Sequence, residues 1–209
     1  EVAPSHIDLA GAEVQLMHMM VARERKLQAA LAPVADEYDF IFIDCQPSLS
    51  ILVINALVAA GEVIIPLQAQ PFALEGMGKL LEMIELVRNA YNPELRLGGV
   101  LLTMDDIRTN LGREIVQELK ANPAIADRLF ETRVRVNIRI AESQRHGVPV
   151  VHYDRNSHGA KAYMKLAREV LEQDAGADAE FEGFEPEDDA EPSVEPAAFT
   201  PQRDGSEPG

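Results

Sequence analysis

The sequence is short of several things, and each shortage excludes something. One cysteine in 209 residues leaves no internal disulfide framework and no cysteine-rich zinc or iron–sulfur site within a single chain, and it fits a reducing compartment. No apolar run approaches the length that spans a bilayer, and the start has no signal-peptide pattern. The five histidines show no metal-ligand spacing. Basic residues are scarce, 19 against 35 acidic for a net charge of -16. That balance excludes coating nucleic acid by bulk charge, while leaving room for a local basic patch. An initiator methionine is also missing: the chain opens on Glu1, which reads as a fragment or a processed start.

Apolar residues are not short. At 46% they suffice for a sizeable core and exclude wholesale disorder. The charge is uneven: residues 174–209 hold 12 acidic residues and one basic residue, Arg203. That stretch is built from Asp, Glu, Pro, Ala and Gly and has too little large apolar surface to offset chain entropy, so it reads as an acidic disordered tail. Residues 1–173 form the body. Between Arg133 and Arg168 the bias reverses: Arg133, Arg135, Arg139, Arg145, Arg155, Lys161, Lys165 and Arg168 face only Glu142 and Asp154 as acids.

The body alternates between strand and helix patterns. Residues 9–31 read as one long helix, with Met17, Met19 and Met20 as packing residues. Residues 38–44 form an apolar run ending on an acid, the pattern of a buried parallel strand. Helices are expected at 51–60, 73–90, 112–121, 140–145 and 159–172, and strands at 62–67, 97–103, 129–134 and 149–153. Strands separated by helices imply an α/β fold with a mainly parallel sheet flanked by helices. In such sheets ligands sit beyond the carboxyl ends of the strands. Asp44, closing the first apolar run, is therefore a candidate site residue, although aspartate also starts turns and caps helices there. Cys45 beside it is expected to be buried packing.

The stretch Tyr38-Asp39-Phe40-Ile41-Phe42-Ile43-Asp44-Cys45-Gln46-Pro47-Ser48 resembles the Walker B and switch II region of ParA/Soj-type partition ATPases. The resemblance continues in order through Ile54-Asn55-Ala56-Leu57, Ile65-Pro66-Leu67-Gln68, Gly99-Val100-Leu101-Leu102-Thr103, Asn137-Ile138-Arg139-Ile140-Ala141-Glu142-Ser143 and Gly159-Ala160-Lys161. It implies a P-loop NTPase-like fold, incomplete at the N-terminus, and an ATPase for chromosome or plasmid partitioning that uses ATP and Mg2+. It further implies a dimer formed with ATP, non-specific duplex DNA as ligand, a ParB-like regulatory partner, and a cytoplasmic, nucleoid-associated location without membrane attachment. By this resemblance Asp44 is the catalytic residue that anchors magnesium through water. Asp44, Met104, Asp106 and Asn137 contact nucleotide, and Arg108 and Arg139 contact DNA phosphates.

Some family features are missing or changed. The deviant P-loop run Lys-Gly-Gly-x-Gly-Lys, whose backbone amides wrap phosphates, does not occur in this chain. Gln46 stands where the family commonly has proline, Gln70 where it has glutamate, Asp105 where it has tyrosine, and Arg135-Val136-Asn137 where it has Pro-Arg-Asn. The chain alone is thus expected to be catalytically incomplete. The alternative is a non-catalytic truncated ParA homologue that binds DNA or a partner. A MinD-like membrane role would call for a basic amphipathic C-terminus, and this one is acidic.

Overall fold

A computed structural model describes residues 1–46, 48, 50–70, 73–105, 110–123 and 125–174. Contacts divide the chain into a unit covering Glu1–Asp174 and a second, Ala175–Gly209. The expected acidic tail lies outside the described residues.

The element order is α1 (Leu9–His18), α2 (Lys26–Leu31), α3 (Ile51–Ala59), β1 (Glu62–Gln68), α4 (Ala73–Ala90), β2 (Arg96–Asp105), α5 (Asn110–Ala121), β3 (Leu129–Arg135), α6 (Ile138–Arg145), α7 (Val150–Tyr153) and α8 (His158–Asp174), with single 3-10 turns at Arg23–Arg25, Ala35–Glu37 and Ala126–Arg128. The three strands form one parallel sheet in the order β1-β2-β3. Each parallel step needs a crossover, and α4 and α5 provide the two.

The central strand β2 is buried on both faces, as parallel strands between helices are, while β1 exposes Pro66 and Gln68 and β3 exposes Glu131 and Arg135. Val100 and Leu102 of β2 pack with Ile65 and Leu67 of β1 against Val58 of α3, Val87 of α4 and Leu119 of α5. Leu101, one residue out of phase, faces the other way. It joins Phe130 and Val134 of β3 against Ile140 of α6 and Ala162, Leu166 and Val170 of α8. Gly99 suits this second layer, because a Cβ there would clash with the edge of the Phe130 ring. The bulge between Val100 and Leu102 in the β2–β3 register adjoins that contact.

Two asparagines fasten the helices. Asn92, after α4, donates from Nδ2 to the carbonyls of Leu57, Val58 and Ala60 at 3.1, 3.2 and 2.7 Å, satisfying C-terminal carbonyls of α3 that lack helical partners. Buried Asn55 donates to Arg23 O and Ile51 O, both at 2.9 Å, and accepts Leu27 N–H at 3.1 Å. It thereby ties the chain around α2 to α3.

Three expectations need correction. The single helix over 9–31 is broken between His18 and Arg23, where Ala22 adopts φ 53°; alternating helix formers do not secure one helix when no residue of α1 is buried. Met17, Met19 and Met20 are correspondingly exposed rather than packed. Residues 149–153 are not a strand. Val150–Tyr153 is one helical turn begun by Pro149 at φ -57°, with His152 N and Tyr153 N both bonded to Pro149 O at 2.9 Å. The β-branched Val150-Val151 pair suggests a strand, but a fixed proline φ suits a helix start equally well.

The third correction matters most for function. Residues 38–44 form no strand. Phe40, Ile41 and Phe42 are exposed, Phe42 by 81%, and the two phenylalanine rings stack on each other with centroids 6.3 Å apart. A strand is defined by its neighbours, and none of β1, β2 and β3 pairs with this segment.

Candidate functional site

The carboxyl ends of β1, β2 and β3 define one rim of the sheet. Arg96 N donates to Gly61 O at 3.0 Å, and Asn92 caps the end of α3, so that end of α3 lies where the strands begin. The Ser50-capped start of α3, where Ser50 Oγ accepts Leu52 N–H at 3.2 Å, therefore points to the rim. The segment carrying Asp44 leads into it.

Met104 and Asn137 both lie at this rim, since Thr103 pairs with Val134 and Asp105 with Arg135, two residues before Asn137. Met104 is 60% exposed and takes φ 49°, a left-handed conformation that costs a residue with a side chain about 1–2 kcal/mol. Val136 and Ile138 stand exposed nearby in sequence, so the rim presents apolar surface to solvent. Asn137 is the N-cap of α6: its Oδ1 accepts Arg139 N–H at 2.9 Å, a contact that satisfies one of the helix's free amides.

Arg139, on the first turn of α6, is exposed yet paired. Its Nη1 donates to Glu142 Oε2 at 2.8 Å, and its Nε lies 3.3 Å from Asp154 Oδ2. The bond to Glu142, then the charges of Glu142 and Asp154, raise the guanidinium pKa further above its ordinary value. Nothing in the composition of 133–168 distinguishes Arg139 from its basic neighbours. The partnership with Glu142 was readable from i,i+3 spacing; that with Asp154 needed the turn through α7. Beyond it, α8 carries Lys161, Lys165 and Arg168, all exposed, on the side away from its partly buried residues Ala162, Leu166 and Val170. Lys165 lies 3.9 Å from Glu131. The Glu169 carboxylate accepts the backbone amides of Glu131 and Thr132 at 2.6 and 3.1 Å, which fixes the α8 stripe along β3.

Asp44 is exposed on the unpaired segment. Cys45 is likewise exposed rather than buried; its Sγ donates to Ile43 O at 3.7 Å. Crowding of the sulfur by adjacent chain, and then the Asp44 charge, push the thiol pKa up and keep it protonated. Asp106 and Arg108 lie outside the described residues. The structure thus brings Met104, Asn137 and Arg139 to one rim and leaves Asp44 on a segment without strand partners. Among the described residues no group of three or more His, Cys, Asp or Glu side chains could hold a metal ion.

Comparison with known proteins settles the family. Residues 1–97 match the AAA domain family. The sporulation initiation inhibitor protein Soj of Bacillus subtilis is 45% identical over 81% of this chain and 66% of its own length. The chain belongs to the ParA/Soj family. The chromosome partitioning protein ParA of Myxococcus xanthus is 43% identical over 83% of this chain and 60% of its own length. The chain therefore spans only part of the length of the ParA/Soj relatives it matches. Among solved structures, cobyrinic acid a,c-diamide synthase from Mycobacterium smegmatis with bound ATP analogue and magnesium is 36% identical, with TM-score 0.62 over 83% of this chain and 62% of that one. The fold is that of the P-loop NTPase-like ParA and MinD proteins. Among the described residues no helix is long and apolar enough to cross a membrane.

Proposed function

We propose that this chain is the DNA-gripping part of a ParA-type partition ATPase that acts on a chromosome or plasmid. The observation that supports it is the 43–45% identity to Soj and ParA proteins over more than four-fifths of the chain, in a fold that sets Arg139 and the Lys161–Lys165–Arg168 stripe on exposed surface. Guanidinium and ammonium groups on such a surface bind phosphates whatever the base sequence. In the complete protein ATP joins two copies, the dimer doubles the number of phosphates neutralised, and a ParB-like partner triggers hydrolysis and release on the nucleoid in the cytoplasm. Asp44 anchors the water shell of Mg2+ there once the segment that carries it is paired, while Met104, Asp106 and Asn137 border the nucleotide.

The test is a titration of random-sequence duplex DNA over a range of salt. Replacing Arg108 and Arg139 with alanine should weaken binding for every sequence alike and flatten the salt dependence. A double variant that binds as well as the parent at matched salt would exclude this surface.

The changed positions Gln46, Gln70 and Asp105 support a second reading, a non-catalytic homologue that grips DNA or a partner without hydrolysis. Restoring a relative's P-loop segment upstream separates the two: the first reading expects magnesium-dependent ATP turnover that Asp44→Ala abolishes, the second expects none.

A further inference from the structure

A guanidinium has two faces that can hold an oxyanion bidentately, the end-on pair Nη1/Nη2 and the side-on pair Nε/Nη2. In Arg139 both faces are half occupied. Glu142 Oε2 takes Nη1 at 2.8 Å and Asp154 Oδ2 takes Nε at 3.3 Å, while neither bond uses Nη2. A phosphate approaching either face finds one Nη2 N–H open and a carboxylate beside the other donor. The two acids come from different elements, Glu142 from one turn along α6 and Asp154 from the end of α7. Asp154 is itself fixed, its Oδ1 accepting Asn156 N–H at 3.2 Å and its carbonyl accepting Ser157 N–H and Oγ–H. They are also the only acids among the basic residues from Arg133 to Arg168.

We propose that Glu142 and Asp154 are positioning residues that gate Arg139, so that a DNA phosphate is gripped bidentately only when one of these carboxylates lets go. The inference rests on the reading of Arg139 as a phosphate contact. Releasing Asp154 opens the side-on face; releasing Glu142 opens the end-on face. All three side chains are partly solvated, and exposed ion pairs are weak. The gate is therefore soft and sets affinity rather than abolishing it. It holds the free protein's grip below what its basic residues could deliver, which suits a protein that must release DNA as well as bind it.

The experiment uses the full chain, a labelled duplex of random sequence and a salt titration of Glu142→Gln, Asp154→Asn, the double variant and Arg139→Ala. Asparagine at 154 keeps an oxygen for the Asn156 amide, and thermal unfolding checks that each variant folds. Each single variant should bind about two- to fivefold more tightly at low salt, on the scale of an exposed ion pair, and the double variant more tightly still. The salt slope should steepen by up to about 1, the signature of one more phosphate neutralised. In an Arg139→Ala background the same changes should give no such gain. An equal gain there would mean simple removal of negative charge and would overturn the gate, as would unchanged or weaker binding by the carboxylate variants while Arg139→Ala still weakens it. Binding indifferent to Arg139→Ala, or no binding by any variant, would instead overturn the reading of Arg139 as a DNA contact, and the gate with it.

Discussion

The runs Phe40-Ile41-Phe42-Ile43 and Val63-Ile64-Ile65 are close equals in composition, yet only the second is a strand. The second has β2 beside it in parallel register and α3 and α4 packed over it. The first has no strand partner and exposes its phenylalanines. The same contrast holds along the chain: α1 and α2 bury no residue, while α3, α4 and α5 cover one face of the sheet and α6 and α8 the other. Local pattern makes a segment eligible for a strand, and a neighbour makes it one. Stability should therefore reside mainly in 51–174, with 1–46 contributing chiefly through the Asn55 joint.

The largest expected effect lies in the shared core. Leu119→Ala or Leu102→Ala removes a side chain with no solvent exposure and should cost about 2–5 kcal/mol in denaturant unfolding. Next is Gly99→Ala, which drives a methyl into the Phe130 ring and should cost about 1–3 kcal/mol; a neutral result would mean the two layers on β2 are looser than drawn. Asn55→Ala tests the joint between the regions. It leaves Leu27 N–H and Arg23 O without their side-chain partner, should cost about 1–2 kcal/mol, and should speed hydrogen exchange around α2 more than in β1. The smallest effect belongs to Phe42→Ser, within about 0.5 kcal/mol. A loss as large as that of Leu119→Ala would show that the leading segment is packed after all and would collapse the comparison.

How much was legible follows the same line. The helix 73–90 agrees residue for residue with α4, and β1, β2 and β3 appear within two residues of where the apolar runs place them, because β2 is buried on both faces while β1 and β3 bury alternate residues. The strand at 38–44 fails because pairing is a property of neighbours. The 149–153 turn fails because a single proline outranks two valines. At the site, the residue types at the rim were legible: Asn137 and Arg139 follow β3 as a family motif orders them. What they do with their hydrogen bonds was not. Sequence gives no sign that Asn137 spends its oxygen on capping α6, or that Asp154 reaches back to Arg139 through a turn of its own. Cys45 was misjudged for the reason Phe42 was: its burial depended on a strand that is not paired.

The most direct test of the account is calorimetric titration of the intact chain with magnesium and ATP. With Asp44 on an unpaired segment and no phosphate-wrapping loop in the sequence, the account predicts no binding tighter than about 1 mM. Magnesium-dependent binding in the micromolar range, lost in Asp44→Ala, would contradict it, because the nucleotide site would then be complete within these 209 residues.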